Sequence, residues 1–220
     1  SQKEEIDAER GRAENLLLNI LPVEVAQELK TTGAAKPQHY DSVTVLFTDF
    51  EGFTKIASTM PPAQVVQELN ECFLAFDEIV EKHGLEKIKT MGDSYMCAGG
   101  LPAPNQTHPQ DAVAAGVEML AFIENRNRQN VAQGKPKWQI RIGVHTGEVV
   151  AGVVGSKKFA YDIWGDTVNV ASRMESNCVP GHVNLSEATY RLVNQQFAGN
   201  YRGEVEVKNK GKMGMYLIDA

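Results

Sequence analysis

The chain has 220 residues, 42% of them hydrophobic and 23% charged, the balance of an ordinary globular protein rather than a disordered or fibrous one. Its 22 basic and 28 acidic side chains give a net charge of -6, which argues against a nucleic-acid backbone as partner, because that needs a basic face. A small nucleotide accompanied by a divalent cation meets no such objection. No apolar run approaches the ~20 residues of a membrane span, and no signal peptide opens the chain. The three cysteines, Cys72, Cys97 and Cys178, lack metal-ligand spacing and are expected to be buried reduced thiols of a cytoplasmic protein. An opening without Met leads us to expect a piece of a longer chain.

The first thirty residues read as helix, with Ile6, Leu16, Leu17, Ile20 and Leu21 in a charged background. Pro22 interrupts it and Val23 to Leu29 resumes it. The narrow apolar face suits a coupling or dimerising segment better than core. Thr31 to Gln38 is polar linker, so residues 1–38 form a lead-in and 39–220 one domain.

Ser42 to Phe47 is a β-branched and aromatic run, the pattern of a buried strand, and it ends at Thr48-Asp49. Two helical segments are expected at about Pro62 to Val80, from Val65, Val66, Leu69, Phe73, Phe76, Ile79 and Val80 at three and four spacing. Leu85 to Thr90 and Ser94 to Gly99 read as a hairpin turning at Met-Gly-Asp. A helix at about Pro109 to Gln129 follows, then Trp138 to His145 and Val149 to Val154 as a second hairpin turning at Thr146-Gly147. Helix at Gly165 to Ser176 and strands at His182 to Leu185, Gly203 to Lys208 and Gly214 to Ile218 complete the order. This predicts an α+β fold, a βααβ core with helices on one face of a largely antiparallel sheet.

Two aspartates stand out by position. Asp49 ends the first strand, and Asp93 sits in the turn of the next hairpin, which a βααβ connection brings onto an adjacent strand. Carboxylates converging there can bind hard cations such as Mg²⁺ or Mn²⁺ and leave room for phosphate oxygens. Taken singly, each aspartate is equally an ordinary turn former. The loop after Asp49, FEGFT, offers backbone N–H groups ahead of a helix, with Gly52 allowing close approach. No P-loop pattern occurs.

Four longer motifs turn these features into a resemblance. FTDFEGFT at 47–54, KIKTMGDSYM at 87–96, RIGVHTGEVVAGVVG at 141–155 and YDIWGDTVNVASRME at 161–175 resemble, in order, the catalytic core of the class III nucleotidyl cyclases, and LLLNILP resembles the helix preceding many such domains. The resemblance implies a ferredoxin-like, palm-like core acting as a head-to-tail homodimer, with two Mg²⁺ or Mn²⁺ ions per active site. Asp49 and Asp93 match its metal aspartates, with the Phe50 carbonyl as a further ligand. Arg141, the backbone at Gly52, Phe53 and Thr54, and Lys210 match phosphate-binding groups, with Lys208 an alternative to Lys210. Asn169 and Arg173, four apart on a helix, match the pair that orient ribose and stabilise charge at the α-phosphate.

Lys89 and Asp162 fall where the family reads the base, and a lysine donor with an aspartate acceptor matches adenine. Guanylyl cyclases tend to carry an acid in place of the lysine. The resemblance therefore implies an adenylyl cyclase making cyclic AMP and pyrophosphate from ATP, with an upstream sensor in the full-length chain. Guanylyl cyclase and a non-catalytic nucleotide-binding domain are the alternatives. Each site would draw Asp49, Asp93 and Arg141 from one copy and Lys89, Asp162, Asn169, Arg173 and Lys210 from the other. His145 is expected to be a packed structural histidine, and Tyr161 and Trp164 packing residues near the dimer seam.

Overall fold

The computed structural model describes residues 2–219, so the outermost residues of the two expected segments, Ser1 and Ala220, lie outside it. The first half runs α1 (Gln2–Leu18), α2 (Val23–Thr32), β1 (Gln38–Glu51), α3 (Phe53–Ala57), α4 (Pro62–Lys82), β2 (Glu86–Met91), β3 (Ser94–Gly99) and α5 (His108–Ala132). The second half is β4 (Gln139–Val154), β5 (Ala160–Trp164), α6 (Asp166–Ser176), β6 (Val183–Ser186), α7 (Glu187–Val193), β7 (Asn200–Val207) and β8 (Gly211–Ile218). The sheet order is β2-β3-β1-β4-β6-β8-β7, with β5 added alongside β4. Its first four strands, joined through α3–α4 and α5 and all antiparallel, form the expected ferredoxin-like unit. Only the β4–β6 pairing is parallel among the described strands.

β1 is central, and its alternate residues serve two cores, which is why its sequence is apolar without a break. Leu46 and Phe50 meet Phe76 and Ile79 of α4 and Met119 and Ile123 of α5. Val43, Val45 and Phe47 face the other way, against Tyr161 and Ile163 of β5, Ala171 of α6 and Ala26 of α2. The helical layer expected on one face is thus α4 and α5, and the structure adds α6 and α2 on the other.

Three local expectations are corrected. The second hairpin does not exist: β4 runs unbroken from Gln139 to Val154, pairing with β1 and then β5. Thr146 is no turn residue. Its hydroxyl is buried between those of Thr44 at 2.8 Å and Thr189 at 3.0 Å. Gly147 instead admits α6, since a Cβ there would run into the Thr167 hydroxyl. The two segments expected over 62–80 are one helix, α4, with α3 a separate short turn before it. The strand β5, absent from the expected order, lies between β4 and α6 and carries Asp162.

Buried free thiols are as expected, with burial pushing Cys72 and Cys178 up to about 11. No side chain of α1 is buried, and Ile6, Leu16 and Ile20 are exposed. Among the described residues no helix is long and apolar enough to cross a membrane.

Candidate active site

The register of β1 builds the first cluster. Thr48 pairs with Tyr95 on β3, which brings Ser94 beside Asp49, and the Ser94 hydroxyl donates to Asp49 Oδ1 at 2.7 Å. On the other flank Asp49 pairs with Arg141 of β4, whose guanidinium donates to Asp49 Oδ2 at 3.0 Å. The β2–β3 turn, with Gly92 at φ 58°, carries Asp93 to the same place, where its Oδ2 accepts the Phe50 N–H at 3.2 Å. Burial first, and then the Asp49 charge, push the Asp93 carboxyl above the usual range. Two carboxylates sharing a site in this way are relieved by a cation between them.

The two carboxylates present oxygen atoms only. That suits a hard divalent ion that completes its shell with water and phosphate oxygens. Among the described residues no group of three or more His, Cys, Asp or Glu is arranged as a metal cage.

Glu175 of α6, absent from the sequence reasoning, belongs to this cluster. Its Oε1 lies 3.0 Å from Arg141 Nε, and burial, aided by Asp49 and Asp93, raises it to about 7 against the pull of Arg141. The only signal was its place at the end of the fourth motif, which gives no hint that Arg141 faces it.

Beyond Glu51, Gly52 takes φ 68° and caps α3, a conformation that favours glycine. The first N–H groups of α3, at Phe53 and Thr54, have no partner within the helix. They follow the end of β1, which carries the aspartate.

A second group joins β2 to β5. Lys89 Nζ lies 2.7 Å from Asp162 Oδ2, while Asp162 Oδ1 accepts the Ile163 N–H at 2.8 Å. A strong donor and a strong acceptor therefore stand side by side, part-buried. The third group is on α6, where Asn169 and Arg173 line a cleft of about 580 Å³ together with Lys208 and Asn209 of the β7–β8 turn. Lys210 reaches the same helix through Asp166, 3.0 Å from its carboxylate. Among the described residues no hydrogen bond or ion pair joins the Asp49–Asp93 pair to Lys89, Asp162, Asn169, Arg173 or Lys210.

α6 sits close on the sheet. A Cβ on Gly143 would overlap the Glu175 backbone nitrogen, Asn184 donates to the Met174 carbonyl at 2.8 Å, and Thr167 donates to the Glu148 carbonyl at 2.7 Å. His145 is buried beside them, its Nδ1 2.6 Å from the Ser186 hydroxyl, and burial with nearby Lys210 pushes it down to about 4. It is the packed structural histidine expected. Tyr161 is buried within the chain, whereas Trp164 is exposed.

Comparison with known proteins gives the family. The model of the adenylate and guanylate cyclase catalytic domain matches residues 35–220. An adenylate cyclase of Mycobacterium bovis is 42% identical over 97% of this chain and 47% of its own length. The soluble guanylate cyclase subunit beta-2 of Rattus norvegicus is 41% identical over 96% of this chain and 30% of its own. The chain thus spans half or less of the length of these relatives. The crystal structure of the adenylyl cyclase CyaB from P. aeruginosa superimposes with a TM-score of 0.79 at 28% identity, covering 84% of this chain and 96% of that one. The chain belongs to the class III adenylyl and guanylyl cyclase catalytic-domain family.

Proposed function

We propose that this domain is an adenylyl cyclase, closing ATP to 3′,5′-cyclic AMP and pyrophosphate between two copies of the chain. The observation that carries the base choice is the Lys89–Asp162 pair, 2.7 Å apart. Lys89 directed at N1 of adenine donates to an acceptor, and Asp162 accepts from the 6-amino group. Guanine presents the opposite order, N1–H and O6, and sets donor against donor and acceptor against acceptor. Each polar group left unpaired costs about 1–3 kcal/mol, so guanine loses roughly 10- to 100-fold or more.

In the reaction the ribose 3′-oxygen bonds to the α-phosphorus and the bond from that phosphorus to the bridging oxygen breaks, with pyrophosphate leaving. Asp49, Asp93 and the Phe50 carbonyl would hold two Mg²⁺ or Mn²⁺ ions, which when bound supply Lewis acidity for the hydroxyl and charge neutralisation for the triphosphate. Arg141, the N–H groups at Gly52 to Thr54, and Lys210 bind the phosphates, with Lys208 lining the neighbouring cleft. Asn169 orients the ribose. Arg173 meets the charge that grows on the α-phosphate. The hydroxyl proton passes to Asp49 or to water.

The sites are shared in a head-to-tail homodimer, Asp49, Asp93 and Arg141 from one copy facing the base-reading and cationic groups of its twin. Residues 1–38 serve as a coupling segment to an upstream sensor, in keeping with the exposed apolar residues of α1. Retention of both aspartates, Asn169 and Arg173 speaks against a non-catalytic domain. The guanylyl reading is favoured only by relatives such as the rat subunit, and turnover of ATP against GTP with Mg²⁺ or Mn²⁺ decides it. ATP should be preferred, and Lys89→Glu should erode that preference by about 10-fold or more. Unchanged selectivity in the variant would remove the base-reading role.

A further inference from the structure

We propose that Glu175 is a positioning residue for Arg141: it keeps the guanidinium beside the Asp49–Asp93 pair when Asp49 turns to a cation, so that Arg141 is free to meet a triphosphate. The role deepens the phosphate-binding reading of Arg141 in the cyclase site and rests on it.

Arg141 stands between two carboxylates. A terminal nitrogen of its guanidinium donates to Asp49 Oδ2 at 3.0 Å, while its Nε lies 3.0 Å from Glu175 Oε1. Asp49 also accepts the Ser94 hydroxyl on Oδ1 at 2.7 Å, so both of its oxygens are engaged within the chain. A cation that binds Asp49 therefore competes with Arg141 for it. Once Asp49 is engaged elsewhere, a long side chain with many rotamers loses one of its two anchors, and the other decides where the guanidinium stays.

Glu175 is placed to be that anchor. Its side chain is 11% exposed, against 22% for Arg141 and 23% for Asp49, so it is the deepest of the three. Its backbone is fixed as well. Gly143 lies two residues beyond Arg141 on β4, hence on the same face, and a Cβ there would run into the Glu175 nitrogen. α6 thus seats on the strand one step from Arg141, and Asn184 holds the preceding carbonyl, that of Met174, at 2.8 Å.

The contact is also incomplete. Arg141 Nε and Glu175 Oε1 are both buried and 3.0 Å apart, yet among the described residues neither has an aligned hydrogen-bond partner. A misaligned N–H contributes little as a hydrogen bond, and such bonds at active sites tighten when the site fills. The pull of Asp49 on the terminal nitrogen accounts for the misalignment. Release from Asp49 lets the Nε–H turn onto Glu175, which leaves both terminal nitrogens of the fork for phosphate oxygens. Plain charge predicts the reverse sign: a carboxylate near a triphosphate repels it, so its removal would tighten phosphate binding.

Calorimetry of inorganic tripolyphosphate binding in the presence of Mn²⁺ reads this role without turnover and without a base. Glu175→Ala, and Glu175→Leu, which fills more of the space, are expected to bind it at least about five-fold more weakly although a negative charge has gone. Glu175→Gln, whose amide oxygen still accepts the Nε–H, should stay within about two-fold of the parent. In an Arg141→Ala background, Glu175→Leu should no longer weaken binding. Folded Ala or Leu variants that bind as tightly as the parent, an equal loss with and without Arg141, or a parent that does not bind tripolyphosphate would overturn the proposal. A preference for GTP in turnover would instead sink the adenylyl reading and leave this role standing, since the probe carries no base.

Discussion

The Asp49–Asp93 end of the sheet and the cleft beside α6 are built on opposite plans. At the first, each functional group already has a partner in its own copy: Asp49 with Ser94 and Arg141, Asp93 with the Phe50 N–H, and Arg141 with Glu175 as well. At the second, the side chains of Asn169 and Arg173 line open space on a helix that is itself clamped to the sheet. One end holds mutually repelling charges ready for a cation. The other holds its backbone rigid and leaves its side chains free for something that arrives. The difference separates electrostatic tension, at the Asp49–Asp93 end, from preorganisation, at the α6 end.

Alanine substitutions should break that comparison most sharply. Asp93→Ala is expected to lower kcat by about 10³-fold or more while relieving carboxylate repulsion, so its thermal midpoint should hold or rise. Arg173→Ala is expected to lose about 10²- to 10³-fold in kcat with an unchanged midpoint, because the exposed guanidinium supports nothing else. Calorimetry beside steady-state kinetics checks both, and a large fall in stability for either would contradict the division drawn here.

Gly143→Ala tests the clamp. A Cβ meeting the Glu175 backbone forces α6 off the sheet, and about 3 kcal/mol of stability should be lost in a denaturant titration, together with activity. Alanine accommodated at no cost would mean that α6 is not held as described.

The smallest effect is a pH dependence. Glu175 is raised from 4.5 to about 7 in the fold, so it favours folding most below its unfolded value and that contribution is lost as pH rises through about 7. Glu175→Gln should therefore gain about 2–3 kcal/mol relative to the parent at pH 8 compared with about pH 5, in metal-free protein. An equal difference at both pH values would show that the carboxyl is not under this strain.

Much of this was legible from composition and pattern, and the failures have physical causes. The run through Val43 to Phe47 announces a strand buried on both faces, and Met-Gly-Asp announces the turn that delivers Asp93. Thr146-Gly147 was misread because a glycine after a hydroxyl residue looks like a turn, whereas here it marks where a helix touches a strand. α7 went unseen because its seven residues are too few to show a period, although Ser186 caps it by accepting the Thr189 N–H at 3.3 Å. The aspartates stood out by position, whereas Lys89, Asp162, Asn169 and Arg173 did so only because four motifs occurred together. Glu175 did not, since nothing in a sequence announces that an acid on one helix will face an arginine on one strand.

The central claim is that one active site is assembled from two copies of the chain, and mixing two inactive variants tests it directly. Asp49→Ala and Arg173→Ala should each be nearly inactive alone. Combined in equal amounts and allowed to exchange subunits, they should recover up to about one quarter of parental activity, because half the dimers then carry one intact site of two. No recovery from two folded, dimeric variants that exchange subunits would place the whole site within a single copy and contradict the account.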